Sequence, residues 1–197
     1  MGNEEKDDLR RYLQAGREAL LWKLEGVSEY DARRPLTPTG TNLLGLVKHA
    51  ASVESEYLGL VFGRPFPEEL PWSADGAERD ADLWALPEES RADIVALYAR
   101  VRAHSEATVA ALPLDAVGSV PWWPADRRTT TLNRVLVHLI AEVHRHAGHA
   151  DVVRELVDGV AGLREGNDNL PRSGADDWRA HRDRVERAAR EAADRTG

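Results

Sequence analysis

Cysteine is missing from all 197 residues, which excludes disulfides, a cysteine nucleophile and cysteine-based zinc sites. Basic excess is missing too: the formal charge is −8 and the pI is about 5.4. No nucleic-acid or anionic-membrane partner is therefore expected, since both need a basic face. Lysine is confined to Lys6, Lys23 and Lys48, so arginine carries the rest of the positive charge. No run approaches the roughly 18 apolar residues of a membrane span. The opening stretch MGNEEKDDLRRYL is charged where a signal peptide would be apolar, so a cytoplasmic location is expected.

What is present is a hydrophobic content of 42%, enough for one well-filled domain, laid out with helical periodicity almost throughout. The spacing predicts a first helix over roughly 8–26, with Leu9, Leu13, Leu20, Leu21 and Leu24 as its apolar stripe. After the Pro/Thr/Gly-rich break SEYDARRPLTPTGT, Thr41 or Asn42 reads as the N-cap of a second helix to about 61. Its inward positions are Leu43, Leu46, Val47, Ala50, Val53, Tyr57 and Leu60. A helix-poor crossover leads to a third helix over about 87–111, with Ile94, Leu97, Val101, Thr108 and Leu112 inward. The segment PLDAVGSVPWWPADRRTTT, in which VGSVPWW suits a short extended piece, leads to a fourth helix over about 132–158.

Four amphipathic helices with two long crossovers predict an all-α four-helix bundle. Residues 1–163 are assigned to the bundle, and 164–197 to a linker and a charged surface helix. That last helix has few apolar anchors, and Trp178 and Val185 are its expected contacts, in cis or on a second subunit.

The fourth helix carries HLIAEVHRHAGHADVVREL. At about 100° per residue, His138, Glu142, His146 and His149 share one stripe with Val135, Val153 and Leu156, which is expected to face the interior. His144, Arg145 and Asp151 are expected to face solvent. An inward glutamate is costly unless paired or bound to a cation. Glu142 and His146, one turn apart, can converge on one metal, with His49 of the second helix as third donor. Such a set leaves a coordination position open, as catalytic zinc does. A buried His–Glu pair without metal fits the same spacing.

The segments TPTGTNLLGLVKHAASVESEYL and TTLNRVLVHLIAEVHRHAGHADVVRELVDG resemble the DinB/YfiT-like metalloenzyme superfamily. They resemble its actinobacterial branch, which is similar to the metal-binding domain of mycothiol-dependent maleylpyruvate isomerase. The resemblance covers about 9–163. It implies an up-down-down-up bundle, often dimeric, holding one divalent metal, zinc or nickel. Residue by residue it matches His49, Glu142 and His146 to the ligands, with glutamate replacing one histidine of the common set. It also implies a low-molecular-weight thiol such as mycothiol as cofactor and a small electrophile as substrate. The residues after 163 do not match the additional C-terminal domain of the isomerases, so isomerisation of maleylpyruvate itself is not expected.

Around this site, His149 reads as a catalytic base or a satisfied core residue, and His138 as a residue supporting a ligand or simply filling the core. Gly148 suggests close approach of a helix or ligand. Trp122 and Trp123 could wall a substrate pocket with Arg127 or Arg128 holding a carboxylate, or they could plug the bundle end. Trp72 and Trp84 carry the same ambiguity. Three functions remain open: a metal-dependent thiol transferase or isomerase, a metal-dependent hydrolase, and a non-enzymatic bundle with a structural metal or ion pair. The reading leans to an enzyme of the first kind.

Overall fold

The structure is a computed structural model that describes residues 2–74, 76–167 and 174–195. It is mostly helical. The principal helices are α1 (Gly2–Trp22), the five-residue α2 (Glu29–Arg33), α3 (Leu43–Tyr57), α4 (Arg91–Ala111), α5 (Leu132–Asp158) and α6 (Ala175–Asp194). Helix α1 packs along α5 and α3 packs along α4, while α3 also meets α5 and α1. No helix among the described residues is long and apolar enough to cross a membrane.

Local chemistry sets the ends of these helices. Asn42 begins α3 by accepting the Gly45 N–H at 2.7 Å, and Ser90 does the same for α4 with Asp93 at 3.0 Å. Each satisfies a donor that the helix itself leaves unpaired. Thr131 is the cap of α5, and Gly159 ends it in the left-handed region at φ 79°, where glycine carries no steric penalty. Helix α1 starts six residues before the predicted Asp8. Its early Glu4 and Glu5 complement the positive end of the helix dipole. Helix α4 begins at Arg91, after its cap Ser90 and later than predicted, because Pro87 and the acidic residues after it belong to the crossover.

The crossovers are not featureless. Residues 60–62, 71–73 and 81–83 form single 3₁₀ turns. Strand β1 (Val117–Ser119) pairs antiparallel with β2 (Thr129–Thr131), Gly118 opposite Thr130. Gly118 is required there, since a Cβ would lie 2.8 Å from both Phe62 and Val61. Strand β2 runs directly into α5, so this hairpin fixes the PWWPADRR turn relative to that helix.

The core divides in two. One part gathers Leu20, Leu24, Leu44, Val47, Leu97, Tyr98, Val101 and Val153. The other gathers Leu13, Leu58, Val109, Val120, Leu132, Leu136, Leu139 and Val143. Two apolar positions expected inside lie outside, Leu60 at 50% and Leu156 at 60% exposure. Charged residues occupy the interior instead. Arg17 is fully buried and clasps Glu54 through Nε at 3.0 Å and Nη2 at 2.6 Å, while its Nη1 meets Glu106 at 2.7 Å. Burial opposes the Arg17 charge, but Glu54 and Glu106 outweigh it and raise the pKa. Lys23 is likewise buried, 2.8 Å from Asp151 and over the Trp22 ring. Asp151 therefore faces a lysine rather than open solvent.

Candidate metal centre

Helices α3 and α5 touch where His49 meets His146, their ring centroids 4.8 Å apart and nearly perpendicular. One donor atom from each of His49, Glu142 and His146 lies within 4.8 Å of the others. The three residues picked out on the sequence are thus brought together. Their depth differs from expectation: Val135 and Val153 of the same stripe are buried, together with Leu132, Leu136, Leu139, Val143, Ala147, Ala150 and Arg154. Glu142 and His146 lie half-buried beside them, and His149 is exposed. The reason is geometric. At about 100° per residue, Glu142 lies about 60–100° around the helix from the buried Leu139 and Val143, and His146 as far from Val143 and Ala147, so the polar stripe runs along the rim of the interface instead of its centre.

The hydrogen bonds assign roles to the ring nitrogens. His146 Nε2 is 2.9 Å from Glu142 Oε1, donating to the carboxylate. Its Nδ1 is buried with no hydrogen-bond partner. Burial, followed by the proximity of His49, lowers the His146 pKa against the opposing pull of Glu142, which favours the neutral ring; in that form Nδ1 holds a buried, unused lone pair. His49 Nδ1 is 2.6 Å from Asp82 Oδ2, a contact that in the neutral ring leaves Nε2 to carry the lone pair. A buried acceptor without a donor, a second imidazole and a carboxylate fit a divalent ion that accepts nitrogen and oxygen ligands. Three side chains leave a coordination position free.

Asp82 was not legible in the sequence. It comes from the crossover, in the 3₁₀ turn at 81–83, and its hydrogen bond to His49, opposed by burial, lowers its pKa. Glu56 is a second omission. Burial, reinforced by the charge of Asp82 and opposed by His49, raises its pKa.

Of the remaining candidates, His149 adjoins the three donors and the others belong to neighbouring clusters. The His149 ring centroid is 5.9 Å from that of His146. His138 packs between Tyr57 and Trp123, at 4.8 Å and 5.5 Å, and among the described residues it makes no hydrogen bond to Glu142 or His146. The indole N–H groups of Trp122 and Trp123 both donate to the Tyr57 hydroxyl, at 3.2 Å and 3.0 Å. Tyr57, expected only as an apolar stripe residue, is the hub of this cluster. Arg128 donates to the Trp123 carbonyl at 3.0 Å and braces the turn. Arg127 instead lines a cleft of about 340 Å³ with Trp123, Pro124 and Arg134. Gly148 faces open space, with nothing within 4 Å of a built Cβ, so among the described residues no helix approaches it. His144, expected to face solvent, packs against Gly16 and lies 3.1 Å from the Tyr12 carbonyl. Trp72 donates to Ser52 at 2.6 Å and belongs to the packing of the crossover on α3, while Trp84 is partly exposed.

A family model described as Mycothiol-S-transferase matches residues 8–159. The chain belongs to that family. The match spans α1 to α5, including His49, Glu142, His146 and Asp82, and ends ahead of α6. No curated protein matches the chain. In this mycothiol-S-transferase family member the donor cluster, the hairpin cleft and the crossover turn all fall inside the matched region.

Proposed function

We propose that the protein is a metal-dependent transferase that joins a low-molecular-weight thiol of the mycothiol type to a small electrophile. The observation that carries this reading is the convergence of His49, Glu142 and His146 within 4.8 Å, in a chain of the mycothiol-S-transferase family. These three residues are the metal ligands, with zinc preferred and nickel the alternative. The bound ion supplies the positive charge that favours a thiolate near neutral pH in a protein without cysteine.

The chain's own groups do the remaining work. His146, held neutral by burial, offers nitrogen without first losing a proton. His149, exposed beside it, takes or returns a proton at its ring nitrogen as the catalytic base. Trp122 and Trp123, fixed on Tyr57, wall the substrate side. Arg127 holds an anionic group in the cleft that it shares with Trp123, Arg128 keeps the turn in shape, and His138 supports the tryptophan wall from α5. The scaffold reading is an up-down-down-up four-helix bundle over residues 1–163, acting in the cytoplasm as a homodimer, with the segment after 163 outside the catalytic unit.

The test is conjugation of mycothiol to a small fluorogenic electrophile by metal-loaded protein, followed with and without thiol. Turnover that requires both thiol and metal, and is lost in His146→Ala, supports the transferase. Turnover without thiol would replace it with a hydrolase. No turnover with a panel of electrophiles, despite stoichiometric metal, would leave a structural metal site and refute the enzyme reading.

A further inference from the structure

The crossover between α3 and α4 is fastened to α3 at consecutive points. The Leu83 carbonyl accepts from Asn42 Nδ2 at 3.1 Å and lies against Gly45, where a Cβ would come within 1.9 Å of it. The Trp84 carbonyl accepts from the buried Lys48 at 3.0 Å, and Lys48 also pairs with Glu89 at 2.7 Å. Asn42, Gly45 and Lys48 thus hold residues 83 and 84 from one side. The residue just before them, Asp82, meets His49 at 2.6 Å. Asp80 supports this turn with a left-handed backbone, φ 61°, rare for a residue other than glycine.

We infer that Asp82 is a positioning residue of the metal site: docking of the crossover on α3 sets His49 in the Nδ1–H tautomer and aims its Nε2 lone pair at the ion. This inference rests on the reading of His49, Glu142 and His146 as ligands. A neutral imidazole without a partner can carry its proton on either nitrogen and rotate about its side-chain bonds. A carboxylate behind Nδ1 removes both freedoms and makes Nε2 a better donor, as carboxylate–histidine pairs do at metal sites generally. The docking points explain why a residue distant in sequence can do this accurately. Asn42 and Lys48 bind backbone carbonyls, so they fix the turn irrespective of its side chains, and the missing Cβ of Gly45 lets it approach the helix.

The experiment compares the full chain with Asp82→Asn, Asp82→Ala and His49→Gln. Proton–nitrogen NMR of the metal-free protein in mildly alkaline buffer reads the His49 tautomer, with His49→Gln providing the assignment. Zn²⁺ affinity is measured by competition with a chromophoric chelator. The expected result is an Nδ1–H tautomer in the wild type, a shift toward Nε2–H in both Asp82 variants, and Zn²⁺ affinity lowered about 10–100-fold. The urea midpoint of the metal-free variants is expected to stay close to wild type. Wild-type affinity in both Asp82 variants, or an affinity loss that merely follows global unfolding, overturns the inference while leaving the metal site intact. A wild type that binds no Zn²⁺ overturns both.

Discussion

Replacing Arg17 by Met removes the cation at the centre of the α1–α3–α4 contact while keeping most of the side-chain volume. Arg17 and Glu54 are both fully buried, and Glu106 is 32% exposed. Among the described residues, the change leaves the Glu54 carboxylate with one partner, the Tyr98 hydroxyl at 3.4 Å. Glu106 fares better, because Arg10 still binds it at 2.9 Å. Breaking a buried pair by removing one partner costs about 3–5 kcal/mol, through the uncompensated charge rather than the lost attraction. For a protein of this size that corresponds to a fall in Tm of roughly 6–20 °C. Urea unfolding, followed by circular dichroism, measures the loss at constant m. If the cost comes from the stranded charge, adding Glu54→Gln to Arg17→Met recovers a large part of it. A loss below about 1 kcal/mol, the range of an exposed pair, would refute the placement of Arg17 in the core.

Acid provides a second check on the ion pairs. Glu106 lies below its reference value of 4.5 because Arg17 and Arg10 outweigh the effect of burial, and Asp158 lies below 3.8 because Arg154 and the Val160 N–H do the same. A depressed carboxylate stabilises the fold above its unfolded pKa and loses that contribution as pH falls through the folded one. These two carboxylates therefore contribute a loss of stability below about pH 5, whereas Glu56, whose pKa is raised, acts in the opposite sense and His146, whose pKa is lowered, adds a loss that starts below about pH 7. An acid decline below about pH 5 that is no shallower in Glu106→Gln than in wild type would contradict the Glu106 pairing. Gly45→Ala places a methyl 1.9 Å from the Leu83 carbonyl. The crossover must then lift from α3, at a cost of about 1–3 kcal/mol, with faster proteolysis in the segment between α3 and α4. Unchanged proteolysis and stability would mean that the crossover is not docked there.

The two ends of legibility lie on the same helix. Helix α5 was readable to the residue because Thr131 and Gly159 mark its limits. Glu142 and His146 announced themselves as polar groups on an otherwise apolar segment. Their depth was not readable, since periodicity ranks faces relative to one another but does not say which neighbouring helix covers which edge. Leu156 is exposed for that reason, and His144 has a partner in α1. The buried Arg17, Lys23, Lys48 and Glu54 escaped a pattern built on apolar residues, because a charge inside is stable only with partners that come from distant segments. Asp82 escaped most completely. The crossover has no helical period, and its tie to His49 spans 33 positions.

The central claim is that His49, Glu142 and His146 hold a metal ion, and metal content tests it most directly. Untagged wild-type protein and His146→Ala are offered Zn²⁺, Ni²⁺, Mn²⁺ and Fe²⁺ under reducing conditions, desalted and analysed by mass spectrometry. The account predicts about one divalent ion per wild-type chain and its loss in the variant. No metal in either protein, or equal metal in both, would contradict it.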